Sequence, residues 1–379
     1  MFRPVLFLSL ILLGLMSSSC QPFSTTAWLD ALNRPGPSSR IYIALVGDMM
    51  LGTNFPENTL ADDDGVSLLQ SVAPFLRDAD ITFGNLEGVL LDEGEPAKSC
   101  DVPEHCYLFR SPSHYAHYLR EAGFDVMSLA NNHARDFGES GLSASMTTLA
   151  SLGIRHSGPH GDVASWRVKG RRVALIAFAP FIGSYNMLDE NRARELVEEL
   201  SQTHDIVIVS VHAGAEGPEA MHVTFADERY HGEDRGNVDQ FARAVIDAGA
   251  DLVVGHGPHV PRALQVYRGR MIAYSLGNFC TFWGISVDQA RGLAPILRLE
   301  LDGDGRFLQG QITSALQIRP YGPVPDPEHR AAKLMAELTR ADFPDSSLLI
   351  SDEGQVRLKS SRLTKAAQPS MDSGFRPMF

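Results

Sequence analysis

The sequence predicts an α/β protein in which buried strands alternate with amphipathic helices. Short apolar runs of the kind that form buried strands occur at residues 41–46, 81–83, 126–129, 173–178, 206–211 and 252–254. Between them, apolar residues recur at helical spacing in residues 68–77, 113–122, 141–152, 191–203 and 238–248. Gly123, Gly153 and Gly249 follow three of these segments, where a glycine commonly ends a helix.

Later strands and a C-terminal appendage complete the prediction. Residues 263–267, 271–275 and 295–301 predict strands that pair antiparallel. We expect a main domain at residues 41–319, because Pro320, Pro323 and Pro325 follow it and the chain ends in a Ser- and Lys-rich stretch. This composition predicts an appendage at residues 320–379 that is partly disordered, with one helix at residues 328–339.

The N-terminus predicts export. Arg3 precedes an apolar run over residues 5–16, which is too short to span a bilayer and has the form of a signal peptide. Small residues lead into Cys20 as in a bacterial lipobox, although Ser17 stands where leucine is usual. Lipidation, plain secretion and an uncleaved anchor all stay open. We expect a signal peptide at residues 1–20, a Pro- and Ser-rich tether at 21–40, and a membrane-anchored lipoprotein or a periplasmic or extracellular protein.

The net charge limits which classes of partner the protein can bind, and the cysteines indicate which of them form a disulfide bond. The net charge of −13 disfavours nucleic acid and anionic lipid surfaces, so an anionic ligand would need bound cations or a local basic patch. Arg262, with Arg268 and Arg270, is a candidate for such a patch or for a solvated face. An exported protein can form disulfides, which favours a bond between Cys100 and Cys106 over a metal clip and leaves Cys280 as a buried free thiol.

Five of the predicted strands end in residues that can bind metal ions, and the active sites of α/β sheets lie at the carboxyl ends of strands. These residues are Asp48 after the first strand, Asn85 and Glu87 after the second, Asn132 and His133 after the third, His212 and Glu216 after the fifth, and His256 and His259 after the sixth. Singly, Asp48 could cap a helix, Asn132 could form a turn, and His212 could be a hydrogen-bonded core residue. One metal site explains all of them, and this set of carboxylates and imidazoles suits Mn, Zn or Fe.

The order of these motifs, followed by Ser275-Leu276-Gly277-Asn278-Phe279, resembles the CapA family of capsule and poly-γ-glutamate proteins. The resemblance covers residues 41–301. This family is similar to the calcineurin-like metallophosphoesterases, and the resemblance implies a four-layer α/β/β/α sandwich with two sheets between helices.

The resemblance also implies roles for single residues. One or two divalent metal ions would be held by a set of ligands comprising Asp48, Glu87 or Asn85, Asn132, His212, His256 and His259. His133 would be the general acid, and Asp136 would either orient His133 or cap the following helix. Glu216 and Asn278 would support the ligands or contact substrate. This chain departs from the phosphoesterase pattern at Met50, where a histidine is usual, and at Ala134, where an acidic residue is usual.

Two further segments could take part in substrate binding. Residues 220–237, which include Arg235, follow the His212 to Glu216 motif and form either a substrate loop or a solvated excursion. Phe279, Phe282 and Trp283 follow the Asn278 motif and either line a pocket or fill the core.

Three functions are compatible with this sequence. The first is a metal-dependent hydrolase that acts outside the cytoplasm on an anionic cell-surface polymer such as poly-γ-glutamate or on a phosphoester. The second is a non-catalytic polymer-binding or export component, which works with other capsule synthesis proteins. The third, a structural lipoprotein with a decayed site, is disfavoured because the predicted ligands are intact.

Overall fold

Two β-sheets and the helices that cover them form the computed structural model, which describes residues 40–98 and 106–359. In chain order the strands are β1 (Ile41–Met50), β2 (Ile81–Leu86), β3 (Val89–Leu90), β4 (Arg110–Ser111), β5 (Val126–Ser128), β6 (Arg155–Ser157), β7 (Ala164–Val168), β8 (Arg171–Ala179), β9 (Tyr185–Asn186), β10 (Ile206–His212), β11 (Glu228–Tyr230), β12 (Glu233–Gly236), β13 (Leu252–His256), β14 (Leu264–Tyr267), β15 (Arg270–Ala273), β16 (Asn278–Thr281), β17 (Ile296–Leu301), β18 (Phe307–Thr313), β19 (Ala315–Gln317), β20 (Pro323–Pro325), β21 (Leu348–Ile350) and β22 (Gln355–Leu358). The α-helices are α1 (Ala73–Leu76), α2 (Ala116–Ala122), α3 (Gly138–Ser151), α4 (Glu190–Thr203), α5 (Val238–Asp247) and α6 (Arg330–Asp342).

The strands of the described residues form two large sheets and three small ones. The first large sheet has the order β21-β22-β18-β17-β1-β2-β5-β6, with β16 also paired to β1. The second has the order β14-β15-β13-β10-β8-β7, with β9 paired to β8. At the centre of each sheet the strands run parallel, β1 with β2 and β10 with β13. Their carboxyl ends therefore lie at one edge of each sheet.

Three hydrophobic clusters separate four layers. Ile43 and Phe83 of the first sheet pack against Ile208 and Val254 of the second, which places the two sheets face to face. On the other side of the first sheet, Val46 and Met127 pack against α2 and α3 through Leu119 and Leu149. On the far side of the second sheet, Val209 and Val253 pack against α4 and α5 through Val197 and Val245. The predicted α/β/β/α sandwich is confirmed.

The predicted strands are present in the structure, and they form because their residues are buried on both faces. Every residue of β10 is buried, as expected for a parallel strand covered on both sides. Of the later strands, β14 pairs antiparallel with β15, and β17 pairs antiparallel with β1. The helix predicted at 68–77 is wrong in extent, because turns occupy residues 62–72 and α1 begins at Ala73. Pro74 lies in its first turn and cannot continue a helix from the N-terminal side without loss of a hydrogen bond.

The segment after residue 319 is part of the fold as far as residue 359, which corrects its interpretation as an appendage. Strand β22 pairs with β18, and β21 pairs with β22, so this segment extends the first sheet. Helix α6 buries Ala332 and Met335 in the cluster between the sheets. The prolines mark turns and a short strand pair, and the apolar spacing of α6 decides where the segment packs. Residues 360–379 lie outside the described part.

Among the helices of the described residues, none combines the length and the apolar composition that crossing a bilayer requires. The predicted signal peptide, lipobox and tether at residues 1–39 lie outside the described residues.

Candidate metal centre

The ends of four central strands bring the predicted ligands together. In the first sheet, Asp48 of β1 is opposite Asn85 of β2 and Asn278 of β16. In the second sheet, His212 of β10 is opposite His256 of β13. Asp48, Asn85, His212 and His256 lie at the carboxyl ends of parallel strands, where α/β proteins place their binding sites, whereas Asn278 is the first residue of β16.

Asp48 joins the two sheets. Its backbone N–H donates to the Gly277 carbonyl over 2.8 Å, and its Oδ2 accepts from the Gly257 N–H over 3.3 Å. His256 Nδ1 of the second sheet lies 3.4 Å from Asp48 Oδ1. Gly47 permits this approach, because a Cβ at that position would lie 1.9 Å from the Gly277 carbonyl oxygen.

A buried cluster of three ligand-type side chains lies at this junction. Asp48, Glu87 and His259 each offer one ligand atom, and these atoms lie within 4.8 Å of one another. His259 Nε2 is 3.6 Å from Glu87 Oε1, and His212 Nε2 is 3.9 Å from the same oxygen. This spacing is suitable for a divalent ion held by carboxylates and imidazoles.

Several polar atoms of the predicted ligands are buried without a hydrogen-bond partner among the described residues. They are both carboxylate oxygens of Glu87, Oδ1 of Asn132, Nε2 of His212 and both ring nitrogens of His256. Buried polar atoms are almost always satisfied, because leaving them unpaired costs free energy. A divalent cation beside Glu87 would satisfy its oxygens and His212 Nε2, which lies 3.9 Å from Glu87 Oε1, so the residues fit the metal ion that the sequence predicts.

The geometry distinguishes Glu87 from Asn85, which the sequence left as alternatives. Both ends of the Asn85 amide are engaged, since Nδ2 donates to Asp48 Oδ1 over 2.9 Å and Oδ1 accepts from Asn131 Nδ2 over 3.0 Å. Asn85 therefore positions Asp48, whereas Glu87 has free oxygens. Of these two side chains, only Glu87 offers oxygens that a metal ion could contact.

Burial and mutual charge perturb the ionisation of the cluster. Burial raises the pKa of Glu87 to about 8, against the opposing charge of His259. Burial alone would lower the pKa of His259, but the charges of Glu87 and Asp48 raise it to about 10. Burial holds the pKa of His212 well below its ordinary value. The carboxylates thus create a negative field at His259 that a divalent cation would neutralise.

A second group, built around His133, lies beside the cluster. His133 Nδ1 is 2.8 Å from Asp136 Oδ2, which also accepts from the Phe109 backbone N–H over 2.8 Å. Lys98 Nζ is 3.2 Å from Asp136 Oδ1. Asp136 orients His133 and does not cap α3, whose N-cap, Phe137, makes no side-chain capping bond. Burial lowers the pKa of His133 even though Asp136 opposes this.

Asn278 supports His259. Its Nδ2 donates to the carbonyl oxygens of Ser286 and Arg291 over 3.3 and 3.2 Å, which fixes the orientation of the amide. The remaining atom, Oδ1, lies 2.9 Å from His259 Nδ1. A carbonyl oxygen only accepts, so Nδ1 carries the hydrogen and Nε2 is left to bind a metal ion.

Arg235 positions Glu216 and has little access to substrate. Its Nη1 donates to Glu216 Oε1 over 3.0 Å and its Nη2 lies 2.8 Å from Glu233 Oε2. The residue is 3% exposed and its guanidinium lies over the Phe181 ring at 5.0 Å. Glu216 Oε2 in turn lies 3.7 Å from His259 Nε2. Residues 220–237 therefore form a structured loop that contacts the cluster indirectly. Arg235 of this loop holds Glu216, and Glu216 lies beside His259.

The prediction that Arg262 contacts substrate is corrected, because its side chain is fully buried. It makes two hydrogen bonds to Glu228, of 2.9 and 2.7 Å, and one of 2.6 Å to the Ala220 carbonyl. A guanidinium in this bidentate geometry holds the loop and has no group left for a ligand.

The alternative basic patch at Arg268 and Arg270 also does not form. Arg268 pairs with Asp247 at 3.0 Å, and Arg270 pairs with Asp251 at 2.9 Å. Each cation is neutralised locally, which matches the solvated-face interpretation.

Met50 and the aromatic residues after Asn278 have defined positions. Met50 is 1% exposed, and its Sδ accepts from the Gly52 N–H over 3.3 Å. Phe279 and Phe282 belong to the core cluster beneath the helices. Trp283 is half-exposed, with the Arg319 guanidinium 5.0 Å from its ring centre.

The cysteines follow the prediction where the structure describes them. Cys106 is disulfide-bonded, while Cys100 lies outside the described residues. Cys280 is a buried free cysteine.

Three residues that support the centre were not predicted from the sequence: Lys98 and Phe109, which contact Asp136, and Arg291, whose carbonyl accepts from Asn278. Phe109 lies against His133, with ring centres 4.2 Å apart. Neither it nor Lys98 belongs to a ligand-type motif, since both stand in a segment of mixed composition. Their roles depend on contacts between residues far apart in the chain, which no local pattern indicates.

The family model for the bacterial capsule synthesis protein PGA_cap matches residues 42–282. The chain belongs to this family. The matched PGA_cap region contains the residues that meet at the centre, among them Asp48, Glu87, His133, His212 and His259. The resemblance to CapA proteins is confirmed.

Two relatives of this PGA_cap chain are CapA proteins of Bacillus species. It is 28% identical over 281 residues to the PGA biosynthesis protein CapA of Bacillus subtilis, covering 70% of this chain and 69% of that protein. It is 28% identical over 269 residues to the capsule biosynthesis protein CapA of Bacillus anthracis, covering 64% of this chain and 60% of that protein. The chain thus spans less than two thirds of the second relative.

Solved structures with a related arrangement include the 5'-nucleotidase precursor from Thermus thermophilus. The identity is 12% and the TM-score 0.41, with 80% of this chain and 59% of that chain covered. For the NAD nucleotidase of Haemophilus influenzae the identity is 12% and the TM-score 0.39, with 80% of this chain and 63% of that chain covered. The fold assignment of this chain rests on its own sheets and clusters.

Proposed function

We propose that this PGA_cap protein is a metal-dependent hydrolase that acts outside the cytoplasm on an anionic polymer such as poly-γ-glutamate during capsule synthesis or processing. The observation that carries the proposal is the buried cluster of Asp48, Glu87 and His259 beside the His133 and Asp136 pair. The family and the names of the two CapA relatives support the polymer.

The residues that would hold one or two divalent ions are those with unsatisfied or converging donor atoms: Asp48, Glu87, Asn132, His212, His256 and His259. Mn, Zn and Fe suit this donor set. When bound, such an ion polarises the group under attack and activates water.

The protein's own residues orient the reaction. Asp136 accepts from His133 Nδ1, which leaves Nε2 as the atom that exchanges a proton with the leaving group. Lys98 and the Phe109 N–H hold Asp136 in place. Asn278 and Asn85 fix the orientation of His259 and Asp48.

A second candidate function is polymer binding or export without turnover, in concert with other capsule synthesis proteins. The observation that favours it is Met50, whose thioether stands where phosphoesterases have a histidine and bonds to the Gly52 N–H. A thioether is a poor ligand for a hard divalent ion, so one position of a two-metal centre would be weak.

Export with membrane anchoring is part of the proposal. The lipobox resemblance at Cys20 supports an N-terminal lipid or signal anchor. The disulfide bond of Cys106 supports an oxidising compartment, because structural disulfides form outside the cytosol.

The decisive experiment measures metal content and hydrolysis of poly-γ-glutamate for the full chain in detergent. We compare the wild type with His256→Ala, and use the exposed His117→Ala as the matched control. Bound metal and turnover that chelator and His256→Ala abolish, but His117→Ala retains, support the hydrolase. Metal-dependent polymer binding without product supports the binding role, and a folded wild type that takes up no metal contradicts both.

A further inference from the structure

Most cations near the centre are neutralised by carboxylates. Arg235 pairs with Glu216 and Glu233, and Lys98 pairs with Asp136. Arg262 is buried against Glu228. Because an ion-paired cation contributes little to attracting an anion, these residues do not explain how a protein of net charge −13 would bind a polyanion.

Arg291 differs from them. Within residues 40–98 and 106–359, no carboxylate lies within the 4.0 Å ion-pair distance of its guanidinium. The residue lies in the short 3-10 helix Gln289–Gly292 and is partly exposed. A guanidinium stays charged throughout the pH range in which proteins fold, so Arg291 supplies an uncompensated positive charge.

The backbone of Arg291 is fixed relative to the metal cluster. Its carbonyl accepts from Asn278 Nδ2 and from Gln317 Nε2, each over 3.2 Å. Asn278 also holds His259 through a 2.9 Å bond. Only one side chain therefore separates the Arg291 backbone from a predicted metal ligand, and this connection limits how far the guanidinium can move.

The guanidinium reaches the rim of the centre. Nη2 lies 3.0 Å from the point where a Cβ on Gly217 would stand, and Gly217 directly follows Glu216, which approaches His259. With a φ of +94°, Gly217 adopts a conformation that residues with side chains rarely take. The glycine thus leaves open the space that the guanidinium occupies. Tyr230 lies close enough for the Arg291 charge to act on its hydroxyl.

We propose that Arg291 binds a carboxylate of the substrate at the rim of the centre and thereby selects an acidic polymer. This inference rests on the proposed function and names a specificity residue for it. A guanidinium recognises a carboxylate through two parallel hydrogen bonds. A polymer with one free carboxylate on every residue would place one at Arg291 while a neighbouring bond lies at the cluster.

The test uses the metal-loaded full chain and a synthetic γ-linked glutamate oligomer, with binding measured by calorimetry and turnover by product release. Arg291→Ala should weaken binding by about tenfold to a hundredfold and raise KM, with kcat and metal content nearly unchanged. The affinity of Arg291→Lys for the oligomer should fall between those of the wild type and Arg291→Ala, because an ammonium retains the charge without the bidentate geometry. Arg194→Ala, at an exposed arginine of α4 on the far side of the second sheet, is the matched control and should bind like the wild type.

The outcomes separate this inference from the function on which it rests. If the wild type and Arg291→Ala bind the oligomer equally, the role of Arg291 is overturned while the proposed function stands. If Arg194→Ala weakens binding as much as Arg291→Ala, general charge and not Arg291 attracts the polymer, which also overturns the inference. A metal-loaded wild type that neither binds nor cleaves the oligomer overturns the choice of polymer, and the inference with it.

Discussion

Asn278 and His259 are joined by a 2.9 Å contact between Oδ1 and Nδ1, although 19 positions separate them in the chain. The bond sets the tautomer of His259, so that Nε2 faces Glu87 at 3.6 Å. A histidine held in this way offers Nε2 in a fixed orientation to a cation that displaces its proton.

Asn278→Ala is therefore expected to lower the affinity for divalent metal by about tenfold to a hundredfold, the usual effect of removing a partner of a ligating histidine. Metal titration followed by competition with a chelator measures this. Asn191→Ala, at an exposed position of α4, controls for the substitution itself. Unchanged affinity in Asn278→Ala would contradict the supporting role of Asn278.

Glu87→Gln is expected to abolish metal binding while changing the metal-free stability by no more than about 1 kcal/mol. Burial raises the pKa of Glu87 to about 8, so its negative charge is costly in the fold, and glutamine removes that cost together with the attraction to His259 at 3.6 Å. Elemental analysis measures the bound metal, and thermal unfolding in the presence of chelator measures the metal-free stability. The exposed Glu57→Gln serves as control, and a metal-replete Glu87→Gln would refute the ligand assignment.

Arg262→Ala is expected to destabilise the fold by about 3–5 kcal/mol, because it leaves the Glu228 carboxylate buried without its partner. Denaturant unfolding measures the loss. The double substitution Arg262→Met with Glu228→Leu removes both charges and is expected to recover much of the stability. An Arg262→Ala protein with wild-type stability and weakened polymer binding would restore the substrate role that the structure argues against.

Asp251 predicts a pH dependence of stability. Burial raises its pKa to about 6, with Arg270 opposing and Asp302 and Asp304 adding to the rise. The folded state therefore holds the Asp251 proton more tightly than the unfolded chain, whose carboxyl has a pKa of about 3.9. The resulting destabilisation is present above pH 6 and disappears as the pH falls through 6 towards 4.

The comparison that isolates this effect is wild type against Asp251→Asn, which does not titrate. Between pH 7 and pH 4 the difference in unfolding free energy is expected to move by about 2 kcal/mol in favour of the wild type. Urea unfolding at several pH values gives that difference, and a flat profile would contradict the raised pKa.

Local patterns predicted the buried strands, the helices and most of the strand-end residues of the centre, whereas the four-layer arrangement was implied only by the resemblance to the CapA family. The apolar runs that precede Asp48, His212 and His256 form strands wherever they are buried, and the polar residues that follow must lie at the strand ends. Met50 stands out only by comparison with the phosphoesterase pattern, which has a histidine two residues after the first aspartate.

The contacts that decide between alternatives could not be predicted in this way. Whether Glu87 or Asn85 serves as ligand depends on Asn131, which approaches Asn85 through a hydrogen bond across 46 positions. Arg262 is buried because Glu228, 34 positions away, folds back over it. The strands β21 and β22 join the first sheet through pairing with β18, a tertiary choice that composition alone does not indicate.

The seam between the two sheets carries a thermodynamic consequence. Asp48 and Glu87 lie at the end of the first sheet, and His212 and His256 lie at the end of the second. One cation bound by residues of both sheets would therefore cross-link the two halves of the sandwich. The folded state would then gain stability with the logarithm of free metal concentration once that concentration exceeds the dissociation constant. The supply of metal would then set how long the protein survives proteolysis, as well as whether its centre is loaded.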